Sequence, residues 1–141
     1  MKPRIATSDD EVRACFAVMT RLRPHVAAED FLPRVRLQEK EGYRLAYIED
    51  DGRPVSVAGF RILENLAWGR FLYVDDLVTE DDARSQGHGG VFLDWLIARA
   101  KEAGCNELHL DSGVQRHDAH RFYIRRRMRI SSHHFSLELG G

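Results

Sequence analysis

The stretch LYVDDLVTEDDARSQGHGGVFLDWLIARAKEAG, Leu72–Gly104, decides how this chain is read. It opens as an apolar strand and turns acidic at Asp75-Asp76 and again at Glu80-Asp81-Asp82. It then sets three glycines, Gly87, Gly89 and Gly90, among four residues. The residues that follow read as a helix to about Ala103, with Gly104 as its stop. That helix is apolar nearly all round, with Asp94 and Lys101 as a narrow polar side, so burial is expected, with Trp95 as packing. Glycine lets backbone come close to backbone or ligand at an entropic cost. A strand that hands over to a helix through such a turn suits an anion. The first helical turn has unpaired N–H groups, the helix dipole adds positive charge there, and glycines admit a phosphate to hydrogen-bonding distance.

Three phosphate loops compete for this turn. A P-loop needs GxxxxGK followed by Ser or Thr, which is missing. A dinucleotide-binding GxGxxG needs glycine where Phe92 stands. The pattern Arg/Gln-x-x-Gly-x-Gly/Ala fits without a gap as Arg84-Ser85-Gln86-Gly87-His88-Gly89, with Gly90 next, and Arg84 can add a charge-assisted contact.

Outward from this core, Ser8-Asp9-Asp10-Glu11 fits a capping box that opens a helix to about Arg23, ended by Pro24. A short strand precedes it at 4–7, and a second helix is expected over about 28–41. YRLAYIED and PVSVAGFRIL flank Asp51-Gly52, a hairpin signal. GRFLYVDDLVT is the next strand, and a β-bulge near Asp75-Asp76 explains why its alternation slips there. ELHLDS (107–112) reads as a strand, HDAHRFYIRRR (117–127) as a helix and SHHFSLEL (132–139) as a final strand. The order β-α-α-β-β-β-α-β-α-β gives a mixed α/β fold, a central sheet with helices on both faces.

The 141 residues fit a single domain, 1–141, long enough to bury a sizeable core. A formal net charge of -1 gives no global case for nucleic-acid binding. No apolar run has transmembrane length, and the N-terminus lacks a signal peptide's apolar region. Cys15 and Cys105 form neither a CxxC nor a disulfide framework, so a reduced, cytoplasmic setting is expected. His133-His134, adjacent in a strand, point to opposite faces, and no third ligand is evident, so no metal is expected. Trp68 is assigned to packing.

The Leu72–Gly104 stretch resembles motif A of the GNAT (Gcn5-related N-acetyltransferase) superfamily, with Leu77-Val78-Thr79 at the strand-end place. RHDAHRFYIRRRM resembles motif B through Ala119, Phe122 and Tyr123. Arg116 stands where Asn is usual and Arg127 where Gly is usual, which suggests a different turn after that helix; Met128 replaces an aromatic. The resemblance implies a mostly antiparallel sheet and direct transfer of an acetyl group from acetyl-CoA (coenzyme A) to a primary amine. In that reading Arg84, Ser85, Gln86, Gly87, His88, Gly89 and Gly90 hold the pyrophosphate, with Arg116 a further contact. Leu77, Val78 and Thr79 pair with pantetheine as an added strand, and the Leu77 N–H faces the thioester carbonyl. Tyr123 matches the tyrosine facing the CoA sulfur, a general acid. The base is Asp76 or Glu80, with Asp75 nearby. His120 shares a helix face with Tyr123, either as a relay or as a partly exposed histidine. Asp75, Asp76, Glu80, Asp81 and Asp82 together would make a negative entrance that favours a cationic amine. The acceptor pocket falls to about 20–45 and the hairpin, with Phe31 and Tyr43. No nucleic-acid or membrane partner is expected; a homodimer is compatible with the resemblance. The rival reading is a non-catalytic acyl-CoA-binding domain of the same fold.

Overall fold

The computed structural model describes residues 1–80 and 87–140. They form two compact units, Met1–His109 and Leu110 onward. In the first, β1 (Arg4–Ile5) leads to three helices, α1 (Asp9–Ala14), α2 (Phe16–Leu22) and α3 (Ala28–Glu39). Strands β2 (Arg44–Asp50), β3 (Arg53–Asn65) and β4 (Gly69–Thr79) follow, then α4 (His88–Glu102) and β5 (Glu107–Leu110). The sheet order is β1-β2-β3-β4-β5, and the first three pairings are antiparallel. The helical crossover through α4 is the connection a parallel neighbour needs.

The expected capping box is present: Ser8 Oγ accepts from Glu11 N at 3.1 Å, and Glu11 Oε1 accepts from Ser8 N at 3.0 Å. The single helix expected to Arg23 is instead two, parted at Cys15, whose N–H bonds Val12 O and tightens that turn. The Asp51-Gly52 hairpin forms with both residues at positive φ, as its tight turn requires.

Side chains alternate across the sheet. Leu45, Tyr47, Val57 and Val78 share one core cluster with Val12, Val18, Met19, Phe31 and Val35 of α1–α3. Phe60 lies three residues beyond Val57 and so on the other face, where it meets Trp95 of α4 edge-on at 5.8 Å. Helices therefore cover both faces, as expected. Trp68 packs as expected, stacked on His109 at 3.5 Å.

The bulge also forms. Gly59 pairs with Asp76 and Phe60 with Val74, which leaves Asp75 as the extra residue on β4. The unit from Leu110 holds α5 (His117–Arg125). Arg127 takes φ +68, the left-handed conformation a glycine would take there, so that turn is kept rather than changed. The final strand expected over 132–139 is not formed: residues 131–140 join no ladder. A strand forms only against a partner edge, and these residues pair with none.

Candidate active site

The bulge positions the acids. With Asp75 as an extra residue, Asp75 and Asp76 both reach side chains on the α1–α3 side rather than alternating. Arg23, which caps the C-terminus of α2, clamps them: its Nε donates to Asp76 Oδ1 and its Nη2 to Asp75 O, each at 2.9 Å. Tyr43 donates its hydroxyl to Asp76 Oδ2 at 2.8 Å. Arg61 binds the Asp75 carboxylate at 2.8 Å. Burial pushes the half-buried Asp75 carboxyl up, against the opposing pull of Arg61. Burial first, then the Asp76 charge, raises the Tyr43 phenol well above its ordinary range, so it stays a donor.

Glu80 follows at the end of β4. It is buried, its N–H bonds Val55 O, and both its oxygens accept from Arg53 Nη1 at 2.8 Å. The negative entrance expected from these acids is thus matched residue by residue: Arg61 to Asp75, Arg23 to Asp76, Arg53 to Glu80. Asp81 and Asp82 lie outside the described residues.

Against this acidic edge opens a cavity of about 210 Å³, lined on the helix side by Arg23, His25, Phe31, Arg34 and Gln38, and on the sheet side by Tyr43 and Asp76. It falls where the acceptor pocket is expected, with Phe31 and Tyr43 in its wall. Among the described residues Asp76 is the one carboxylate of its lining; Glu80 is not part of it.

Leu77, Val78 and Thr79 pair with Ala58, Val57 and Ser56 of β3. Ser56 Oγ reinforces that side, bonding Thr79 Oγ1 at 2.8 Å. On the other side β5 has four residues against eleven in β4, and Asn106 N anchors its start to Arg70 O. The Leu77–Thr79 end therefore runs beyond β5, with an open outer edge among the described residues.

Helix α4 begins at Gly87, which caps it at φ +77 with no side-chain capping bond, and its first turn carries no acid. The N–H groups of His88, Gly89 and Gly90 are thus presented as an anion would need. The His88 side chain, by contrast, is buried, with neither ring nitrogen hydrogen-bonded among the described residues. Arg84, Ser85 and Gln86 lie outside the described residues.

In the unit from Leu110, Arg116 stands at the N-cap of α5 and makes no side-chain capping bond. Tyr123 is half-buried; burial raises its phenol above 10, with Arg116 pulling the other way, so it is protonated at neutral pH. His120 Nε2 lies 2.8 Å from Gly113 O, tied to backbone. His134 Nδ1 lies 3.4 Å from Asp111, and no metal-holding group of three ligands occurs among the described residues.

The partners Arg23, Arg53 and Arg61 and the role of Gly59 were not read from sequence. Only Gly59 carried a local signal: a glycine inside a strand marks a bulge or a close approach, and a Cβ there would overlap the Tyr43 phenol.

Residues 10–128 match the family model described as the acetyltransferase (GNAT) family. The chain is 34% identical over 118 residues, 83% of each chain, to an uncharacterized N-acetyltransferase, YhdJ, of Bacillus subtilis. It is 33% identical over 66 residues, 47% of this chain and 43% of the relative, to the aminoalkylphosphonate N-acetyltransferase of Salmonella typhimurium. In fold it is similar to a transcriptional regulator from Bacillus halodurans, with a TM-score of 0.83, 23% identity, and 98% and 99% of the two chains covered.

Proposed function

The chain belongs to the GNAT acetyltransferase family and is an N-acetyltransferase, and on that premise we propose that it moves an acetyl group from acetyl-CoA to a primary amine that also carries an anionic group. Residues 1–141 act as one catalytic domain in a reduced, cytoplasmic setting, with both cysteines free. Among the described residues no helix is long and apolar enough to cross a membrane.

The observation that carries this reading is the bulge at Asp75, which brings a cavity carboxylate next to an open strand end. Acetyl-CoA supplies the thioester. The N–H groups at the start of α4 with Arg84, Ser85 and Gln86 hold its pyrophosphate, and Arg116 adds a phosphate contact. The open edge of Leu77–Thr79 aligns the pantetheine, and the Leu77 N–H donates to the carbonyl oxygen as its charge grows. Asp76 takes the amine proton, directly or through water: each of its oxygens is engaged once and keeps a second lone pair. Tyr123 delivers a proton to the departing sulfur. Glu80, fully engaged by Arg53, anchors the end of β4.

Support for an anionic acceptor comes from the cavity's cations. Arg23 and Arg34 face one carboxylate among the described residues, which Arg23 already matches, and Arg34 has no charged partner among them. The relative named for aminoalkylphosphonates fits the same chemistry. Thiol release from acetyl-CoA tests this with aminoalkylphosphonates, amino acids, alkylamines and polyamines as acceptors. Turnover is expected with the first two, with KM rising about tenfold in Arg34→Ala, the worth of one exposed charged contact. Preference for polyamines overturns the anionic assignment; no release with any amine by a protein that binds acetyl-CoA overturns the transfer reading. Asp76→Asn should lower kcat by about 100-fold, the lower range for a lost general base, and Glu80→Gln by much less.

A further inference from the structure

Arg23 closes α2 as its C-cap, with its own N–H on Met19 O, so its side chain leaves from a fixed backbone. One edge of the guanidinium is spent on β4: Nε donates to Asp76 Oδ1 and Nη2 to Asp75 O, each at 2.9 Å. A guanidinium carries five N–H donors in one rigid plane. The remaining three, two on Nη1 and one on Nη2, meet no acceptor among the described residues. They make the fork that grips a carboxylate or phosphonate through two parallel bonds. Arg23 lines the cavity and its side chain is 41% exposed, so the sheet holds one edge of the group and leaves the other open.

Asp76 lies on the spent edge. Its side chain is 12% exposed, and Arg23 and Tyr43 hold one of its oxygens each. Two such bonds fix the carboxylate plane, and each oxygen keeps a lone pair for an amine. The group suited to an anion and the group suited to an amine therefore touch each other. The cavity that both line has about 210 Å³, below the roughly 300–1,000 Å³ of pockets for drug-sized ligands.

We propose that Arg23 sets the acceptor's dimensions: its open fork takes the anionic group while Asp76, its ion-pair partner, takes the amine. The acceptor is then a compact amino-carboxylate or amino-phosphonate. About one or two carbons separate its two groups, the span that hydrogen bonds of ordinary length to two touching partners allow. A longer spacer has to fold back to reach both and loses conformational freedom in doing so. Arg34, in the same lining, is placed to meet a further oxygen of the anion. This inference rests on the transfer reading above and narrows its substrate class.

Thiol release from acetyl-CoA, read as kcat/KM over a spacer series, tests it. The series is glycine, β-alanine, γ-aminobutyrate and aminohexanoate, aminomethyl- and aminoethylphosphonate, and propylamine as the amine without an anion. The one- and two-carbon spacers are expected to lead, with aminohexanoate and propylamine lower by about 10–100-fold, the worth of hydrogen bonds to a charged group. In Arg23→Ala the advantage of β-alanine over propylamine should vanish. Damage confined to Asp76 would lower both acceptors alike and leave their ratio unchanged. Arg23→Lys keeps the charge without the fork and should retain only part of the advantage; it carries the test if the alanine variant does not fold. Rates that stay level or rise with spacer length overturn the compact acceptor and leave the transfer reading standing. A β-alanine advantage that survives Arg23→Ala overturns it too, since the anion then sits elsewhere. No transfer to any of these amines by a protein that binds acetyl-CoA overturns the transfer reading and this inference with it.

Discussion

Gly59 is the residue on which the candidate site turns. It lies opposite Asp76 at the bulge, and the space a Cβ would fill is taken by the Tyr43 phenol, which donates to Asp76. Gly59→Ala forces that ring away and should destabilise the protein by about 1–3 kcal/mol, the usual cost of overpacking a filled site. Urea unfolding measures it. Tyr43→Phe keeps the ring and removes one charge-assisted hydrogen bond, a loss of about 1.5–3 kcal/mol where the acceptor is buried. If the two act through the same contact, the double variant costs less than the sum of the singles, and a fully additive cycle would separate them. Arg127 is the opposite case. An arginine holds the left-handed conformation at a strain of roughly 1–2 kcal/mol. Arg127→Gly should therefore raise the stability of the turn, read as slower hydrogen exchange of the Met128 amide, which bonds Tyr123 O.

The start of α1 shows how one element is written by local chemistry. Glu11 accepts from the N–H groups of Thr7 and Ser8, from the Thr7 hydroxyl and from Tyr47. The Ser8 backbone bond first, then the Tyr47 hydroxyl, hold its carboxyl down at about 2. A carboxylate depressed on folding contributes stability that is present above its ordinary value near 4.5 and is lost as pH falls through about 2. The stability gap between wild type and Glu11→Gln should thus be full at pH 6 and close on acidification toward pH 2, measured by thermal unfolding. A gap constant across that range would assign the loss to packing against Tyr47 instead. The same element ends at Cys15, whose thiol burial pushes up to about 12. A thiol reagent at pH 8 should label the half-buried Cys105 in the native protein and reach Cys15 only on unfolding. Strand β4 differs from α1: its own slip in alternation marks the bulge, but the glycine that makes room for Tyr43 opposite it lies on β3.

At the scale of the whole molecule, the alternation of strands and helices, the capping box, the Asp51-Gly52 turn and the glycine-led helix were legible because each rests on neighbours in sequence. Periodicity and turn chemistry need no distant partner. The slip in alternation at Asp75-Asp76 was legible for the same reason, as was the general place of the cavity near Phe31 and Tyr43. The ion pairs were not. Arg23 and Asp76 are 53 residues apart, and Arg53 and Glu80 are 27 apart; nothing local in either arginine names its acid. A row of acids therefore read as a negative entrance, although folding matched three of them with cations. The segment 132–139 shows the limit from the other side. Its pattern specifies a strand, yet a strand forms only against an edge, and the single chain leaves the segment exposed. Sequence alone determined the capping box, the Asp51-Gly52 turn, the glycine at the start of α4 and the resemblance to an acetyltransferase, because these depend on residues a few positions apart. Tertiary structure decided which arginine meets each acid beside the cavity, the role of Gly59 and the absence of a final strand among the described residues, because each depends on which distant group arrives, or fails to arrive, within a few ångströms.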